Sequence, residues 1–140
     1  AKPELVRELG ATYHSCLVSE LDFSPDAIVE CTGVGPVIAP CFEKIGANGI
    51  VCLTGVGHGG IMNTAPIADV ASTAVLKNNV IVGSVNANKR HWYKGGEILA
   101  NADRKWLSKL ITRREKPENL LNALKRTPDD IKFVIQFSEV

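Results

Sequence analysis

The chain has 140 residues, of which 45% are apolar and 22% charged, and sixteen basic against fifteen acidic residues leave a formal net charge of +1. That length suits one domain with a core of its own, and the composition excludes disordered and fibrous classes. The near-neutral balance gives no electrostatic footprint for nucleic acid or an anionic membrane surface.

In chain order, Pro3 to Ala11 reads as a short helix with Leu5, Val6 and Leu9 on one face and Gly10 as its stop. A helix this close to the first residue leads us to expect that a longer polypeptide precedes it. Pro25-Asp26 introduces the apolar run Ala27 to Cys31, which ends at Thr32-Gly33-Val34-Gly35. Pro36 to Ile45 follows with Val37, Ile38, Cys41, Phe42 and Ile45 at helical spacing and Gly46 as the stop. Ile50 to Thr54 is apolar without alternation, the pattern of a strand covered on both faces in a parallel sheet. Strand, helix and strand make a βαβ unit with a right-handed crossover.

The glycines at 55, 57, 59 and 60 come next, then a predicted helix from Pro66 to Leu76 with Ile67, Val70, Ala71, Ala74 and Val75 as its apolar stripe. Asn78-Asn79 breaks it, and Val80 to Val85 reads as a third buried strand. The fold class is therefore α/β, the second half of a doubly wound (Rossmann) parallel sheet with helices on both faces. Residues 1–86 are read as that half-domain. Residues 87–140 are read as a carboxyl-terminal segment that completes it and returns towards a catalytic domain outside this chain. In that segment, helical stretches between about His91 and Ile111 carry Leu99, Trp106, Leu107, Leu110 and Ile111 inward, interrupted by Gly95-Gly96. Pro117 to Leu124 is a short helix, and Lys132 to Phe137 is a last strand whose partner is sought outside the chain.

Cysteines stand at 16, 31, 41 and 52 without a C-x-x-C pair. Cys31 and Cys52 are expected as small buried hydrophobes, in a reducing cytoplasm. The spacing of Cys31, Cys41, Cys52 and His58 matches no zinc pattern. No apolar run is long enough to cross a bilayer and no signal-peptide pattern opens the chain, so a soluble protein is expected.

Gly55-Val56-Gly57-His58-Gly59-Gly60 satisfies G-x-G-x-x-G literally. The dinucleotide fingerprint needs a helix opening directly on the glycines and an acidic residue ending the next strand. Here Ile61 to Ala65 intervenes and the next strand ends in Ser84 and Asn86. A later loop of the same cofactor site is favoured, with a merely glycine-rich turn as the open alternative. His14, His58 and His91 are lone histidines with no nucleophile at triad spacing. Lys89-Arg90 before Trp92-Tyr93 fits either a phosphate contact or a solvated helix start.

The strand ends C-T-G at 31–33, L-T-G-V at 53–56 and G-S-V-N at 83–86, with L-I-T-R-R at 110–114 and D-D-I-K at 129–132, resemble the carboxyl half of the glucose 1-dehydrogenases. These belong to the zinc-dependent medium-chain dehydrogenase/reductase superfamily. The resemblance spans essentially the whole chain and implies an NAD(P)-dependent enzyme, assembled as a homo-oligomer, that oxidises C1 of an aldose such as glucose to a lactone. It implies that Thr54, Gly55 and Val56 lie at the nicotinamide half of NAD or NADP. It assigns Ser84, Val85 and Asn86 to the next strand end, with Asn86 reaching cofactor and sugar, and Thr32 and Gly33 to the adenosine side. It also gives Arg126 a cofactor contact. Backbone amides and one side-chain amide would then orient a carboxamide and a polyol without added charge. The resemblance puts the zinc ligands, the proton path and the pyrophosphate fingerprint ahead of Ala1. The 140 residues alone are accordingly expected to be catalytically inert. Another medium-chain polyol or alcohol dehydrogenase, or a non-catalytic module dimerising through the Val80 to Val85 edge, is the alternative.

Overall fold

The structure, a computed structural model, describes residues 2–57, 67–125 and 127–138. In chain order its elements are α1 (Lys2–Glu8), β1 (Ala27–Glu30), α2 (Gly35–Lys44), β2 (Ile50–Leu53), α3 (Ile67–Lys77), β3 (Val80–Gly83), α4 (Lys89–Asn101), α5 (Arg104–Lys109), β4 (Ile111–Glu115), α6 (Leu120–Ala123) and β5 (Lys132–Ile135). They fall into two compact units, Ser15–Ala87 and Ala1–His14 with Asn88–Val140. The first fourteen residues thus group with the carboxyl-terminal segment rather than with the strands that follow them in sequence.

In the first unit β1, β2 and β3 form a parallel sheet in that order, with β2 central. α2 delivers Cys41 and Ile45 onto Val51, and these three buried side chains, flanked by Val18, Ile28, Phe42 and Leu53, are the core. Pro36 sits in the first turn of α2, where the missing N–H costs nothing. Asn78, at φ 53°, closes α3 in the left-handed conformation that asparagine tolerates. Asn79 Nδ2 then donates to the Gly46 carbonyl at 2.7 Å, tying the start of β3 to the turn after α2.

Burial departs from the sequence reading. β1 and β3 are edges, and the face carrying Val29, Ile50, Val80 and Val82 is open, with Val29 65% exposed against 0% for Val51. β3, read as a buried strand, is exposed along its length. Pro66, read as the start of α3, lies outside the described residues.

In the second unit α1 packs on α5: Trp106 Nε1 donates to the Leu5 carbonyl at 2.9 Å, and Lys109 Nζ meets the Glu8 carboxylate at 2.7 Å. Two sequence expectations are corrected here. Ile111, read as the last apolar residue of a helix, opens β4, and the partner of β5 is this same β4, parallel to it and within the chain. The register slips between Ile111 and Arg113. Thr112 bridges the slip, its hydroxyl accepting from the Ile131 amide at 3.0 Å and donating to the Lys132 carbonyl at 3.2 Å.

Arg113 holds the return to β5. Its Nη2 donates to the carbonyls of Ala123 and Lys125 and to Asp130 Oδ2, all at 3.0–3.1 Å, while the guanidinium lies 5.4 Å from the Phe133 ring centroid. The Thr127 amide and then Arg113 hold the Asp130 carboxyl below the usual carboxylate range, against the opposing pull of its burial. Among the described residues no helix is long and apolar enough to cross a membrane.

Two outcomes follow from this packing. Ile45→Ala should cost about 2–5 kcal/mol and Val29→Ala less than about 0.5 kcal/mol, read as denaturant midpoints at unchanged slope; equal costs would mean the core is elsewhere. Because the folded Asp130 titrates below its unfolded value, its contribution is complete above about pH 4 and fades as pH falls through the lowered folded value. Asp130→Asn should flatten that acid limb in pH-dependent unfolding; an unchanged limb would exclude the contribution.

Candidate functional site

Glu30 pairs with Leu53 and Leu53 with Gly83 in the parallel register. Cys31, Thr54 and Ser84 therefore stand side by side at the carboxyl ends of three adjacent strands, the rim where open α/β sheets take their ligands. Three of the predicted runs, Thr32-Gly33, Thr54 to Val56 and Ser84 to Asn86, leave from this single rim. Arg126 lies outside the described residues, as do His58, Gly59 and Gly60.

The first two loops are in backbone contact. Gly33 has φ +68°, and a Cβ there would come within 2.6 Å of the Gly57 nitrogen and 2.8 Å of the Val56 carbonyl carbon. A Cβ on Gly55 would fall on the Gly33 nitrogen and the Thr32 carbonyl carbon. What the missing side chains of Gly33 and Gly55 admit is the neighbouring loop.

Glu30 joins the two loops. The residue is only 3% exposed, and its carboxylate accepts from the Thr32 amide at 2.7 Å, the Thr32 hydroxyl and the Gly33 amide at 3.0 Å. Its carbonyl accepts from the amides of Thr54 at 2.8 Å and Gly55 at 3.1 Å, and from Thr54 Oγ1 at 2.9 Å. Burial pushes this carboxyl up, but the hydroxyl of Thr32 and the amides of Gly33 and Thr32 together outweigh it and hold the group below its usual range. Burial, and then the charge of Glu30, raise the Cys41 thiol, whose Sγ lies 3.1 Å from the Val37 carbonyl.

The clamp changes what the rim offers. The amides of Thr32, Gly33, Thr54 and Gly55 are engaged by Glu30, that of Val34 by Thr32 Oγ1 at 3.1 Å, and that of Ser84 by the Leu53 carbonyl at 2.9 Å. Backbone amides along the three runs were expected to orient a ligand; most are already taken. The amides of Val56, Val85 and Asn86, and the Asn86 side chain, have no partner among the described residues. Val56, Ser84, Val85 and Asn86 are all exposed.

Cys31, expected buried, is exposed because it lies one residue beyond β1, and its Sγ lies 3.3 Å from Thr54 Oγ1. Cys52 is half-buried and Cys41 is the buried one. Lys89 and Arg90 open α4, capped by Asn88 Oδ1 accepting from the His91 amide at 3.1 Å, and Lys89 Nζ stands 5.9 Å from the Tyr93 ring centroid. Among the described residues no group of three or more His, Cys, Asp or Glu is placed to hold a metal ion. Glu30 is the residue that sequence reasoning passed over. Its signal was a carboxylate closing an otherwise apolar strand, Ala-Ile-Val-Glu.

The chain is similar to known proteins in sequence and in fold. The chain is 38% identical to glucose 1-dehydrogenase 1 of Caldivirga maquilingensis over 98% of its own length, and 39% identical to glucose 1-dehydrogenase 2 of Vulcanisaeta moutnovskia over 96%. It spans about 40% of the length of these curated relatives. The glucose dehydrogenase of Haloferax mediterranei in complex with NADP, Zn and gluconolactone superposes with a TM-score of 0.84 at 24% identity, over 98% of this chain and 40% of that one, a likeness of fold. Since residues 1–137 match the family described as Glucose dehydrogenase C-terminus, the chain belongs to that family.

Proposed function

We propose that the chain is the cofactor-binding carboxyl-terminal part of an NAD(P)-dependent glucose (aldose) 1-dehydrogenase. The observation that carries this reading is the gathering of Thr32, Thr54, Ser84 and Asn86 on one rim, in a chain 38% identical to a glucose 1-dehydrogenase. A nicotinamide nucleotide accepts the hydride when bound. The residues present suit the nicotinamide half of that group, since the rim combines amides at Val56, Val85 and Asn86 that have no partner among the described residues with a primary amide on Asn86. In this reading Thr54, Gly55 and Val56 line the nicotinamide side, Ser84 and Val85 support the carboxamide, and Asn86 directs its amide to cofactor and sugar hydroxyls. Thr32 and Gly33 border the adenosine side, and Arg126 supplies a cationic contact.

Neutral donors and acceptors orient a polyol without adding a charge that would oppose a developing positive centre on the sugar ring. Holding the reacting atoms in line is the protein's main contribution to such a transfer. Zinc, named with the Haloferax enzyme, has no donor set among the described residues, and its ligands are assigned to the longer polypeptide. The free cysteines suit a reducing cytoplasm. A second reading, a homo-oligomer joined through the sheet edge, rests on β3 being both an edge and exposed throughout.

Asn86→Ala in the longer protein should leave the fold intact and raise KM for sugar or nucleotide about tenfold, near 1.4 kcal/mol. Unchanged constants would remove Asn86 from the site. The 140-residue chain by itself should not reduce NAD(P)+ with glucose; sugar-dependent absorbance growth at 340 nm from the purified chain would overturn the division of labour.

A further inference from the structure

We infer that Glu30 is a positioning residue of the cofactor site, fixing the Thr32-Gly33 loop and the Thr54 to Gly57 loop in one register. The inference rests on the cofactor reading above and adds a residue that touches neither nucleotide nor sugar.

Position 30 lies on the same sheet face as Ile28, Val51 and Leu53, so an apolar side chain would fill it as well. An ionised carboxylate there is costly to bury, and among the described residues no cation pairs with it. Its compensation comes from three donors, two of them amides of one rim loop, while its own carbonyl takes two amides and a hydroxyl of the other. One residue thus sets both loops, and it does so from below the rim. The Gly33 and Gly55 backbones leave no slack between those loops, so a shift in one is transmitted to the other. Loss of the carboxylate therefore displaces the groups lining the nucleotide, and displacement of about 1 Å is enough to cost orders of magnitude in orientation. Asn86 lies three residues beyond β3, whose end is held by the Ser84 amide donating to the Leu53 carbonyl, and keeps its place.

The test uses the longer protein with Glu30→Gln, which keeps size but sets an NH2 group against the Gly33 or Thr32 donors. The expected result is a KM for the nicotinamide nucleotide raised about tenfold or more, with KM for the sugar changed less than about twofold. Thr32→Val removes the hydroxyl while leaving the carboxylate, and should raise the nucleotide KM in the same direction by a smaller factor. It decides the matter if Glu30→Gln does not fold. Nucleotide KM unchanged in folded Glu30→Gln, or in Thr32→Val when it alone folds, overturns the inference. Equal rises in both KM values would also overturn it, marking Glu30 as a general stabiliser. A wild-type protein that neither binds nor reduces NAD(P)+ sinks the cofactor reading itself, whereas wild-type binding matched by the folded variants sinks only the role of Glu30.

Discussion

The rim depends on one buried carboxylate made tolerable by hydrogen bonds. Glu30 ends β1 pointing into the apolar side of the sheet, a position that would be destabilising for an unpartnered charge. The donors that compensate it come from the chain immediately after it, so the same bonds that make the charge acceptable also fold Thr32 and Gly33 into a tight turn. The carbonyl of Glu30 performs the equivalent service for Thr54 and Gly55 after the next strand. Side chain and backbone of a single residue thereby organise two loops that are more than twenty positions apart in sequence.

Once those donors are committed, the surface presented outward is defined by what remains. Thr54 and Ser84 have their amides engaged by neighbouring carbonyls, and among the described residues the amides of Val56, Val85 and Asn86 have no partner. In the cofactor reading proposed above, such a rim would select by shape and by neutral hydrogen bonding. The second unit is organised differently. There Arg113, a half-buried cation, collects carbonyls of Ala123 and Lys125 together with Asp130, and so fixes the path from α6 into β5.

Much of the parallel sheet was legible because each strand is a short β-branched run bounded by glycine, proline or asparagine, and because α2 carries its apolar residues at one spacing. From parallel strands it follows that the ends of all three lie together, so the rim could be inferred before any coordinates. β4 escaped notice because Leu107, Leu110 and Ile111 fit a helical stripe, while Thr-Arg-Arg-Glu looks solvent-facing. The hydrogen bonds that draw Arg113 inward go to partners ten or more residues away. With β4 unseen, β5 had no visible mate. The exposure of β3 and Cys31 was hidden for a simpler reason: an apolar run tells that a strand forms, not what covers it. The Glu30 clamp required knowing how closely two loops approach, which is tertiary information absent from either loop's own residues.

The backbone contact between Gly33 and Gly55 has a bearing on how a site like this could diverge. Neither position admits a side chain unless the opposite loop retreats, and retreat would unseat the donors of Glu30. In the proposed reading, variation that alters ligand choice is thereby steered to the projecting neighbours Val56, Val85 and Asn86, which can change size or polarity without disturbing the join beneath them. The seam behaves as a fixed hinge plate on which interchangeable fittings are mounted.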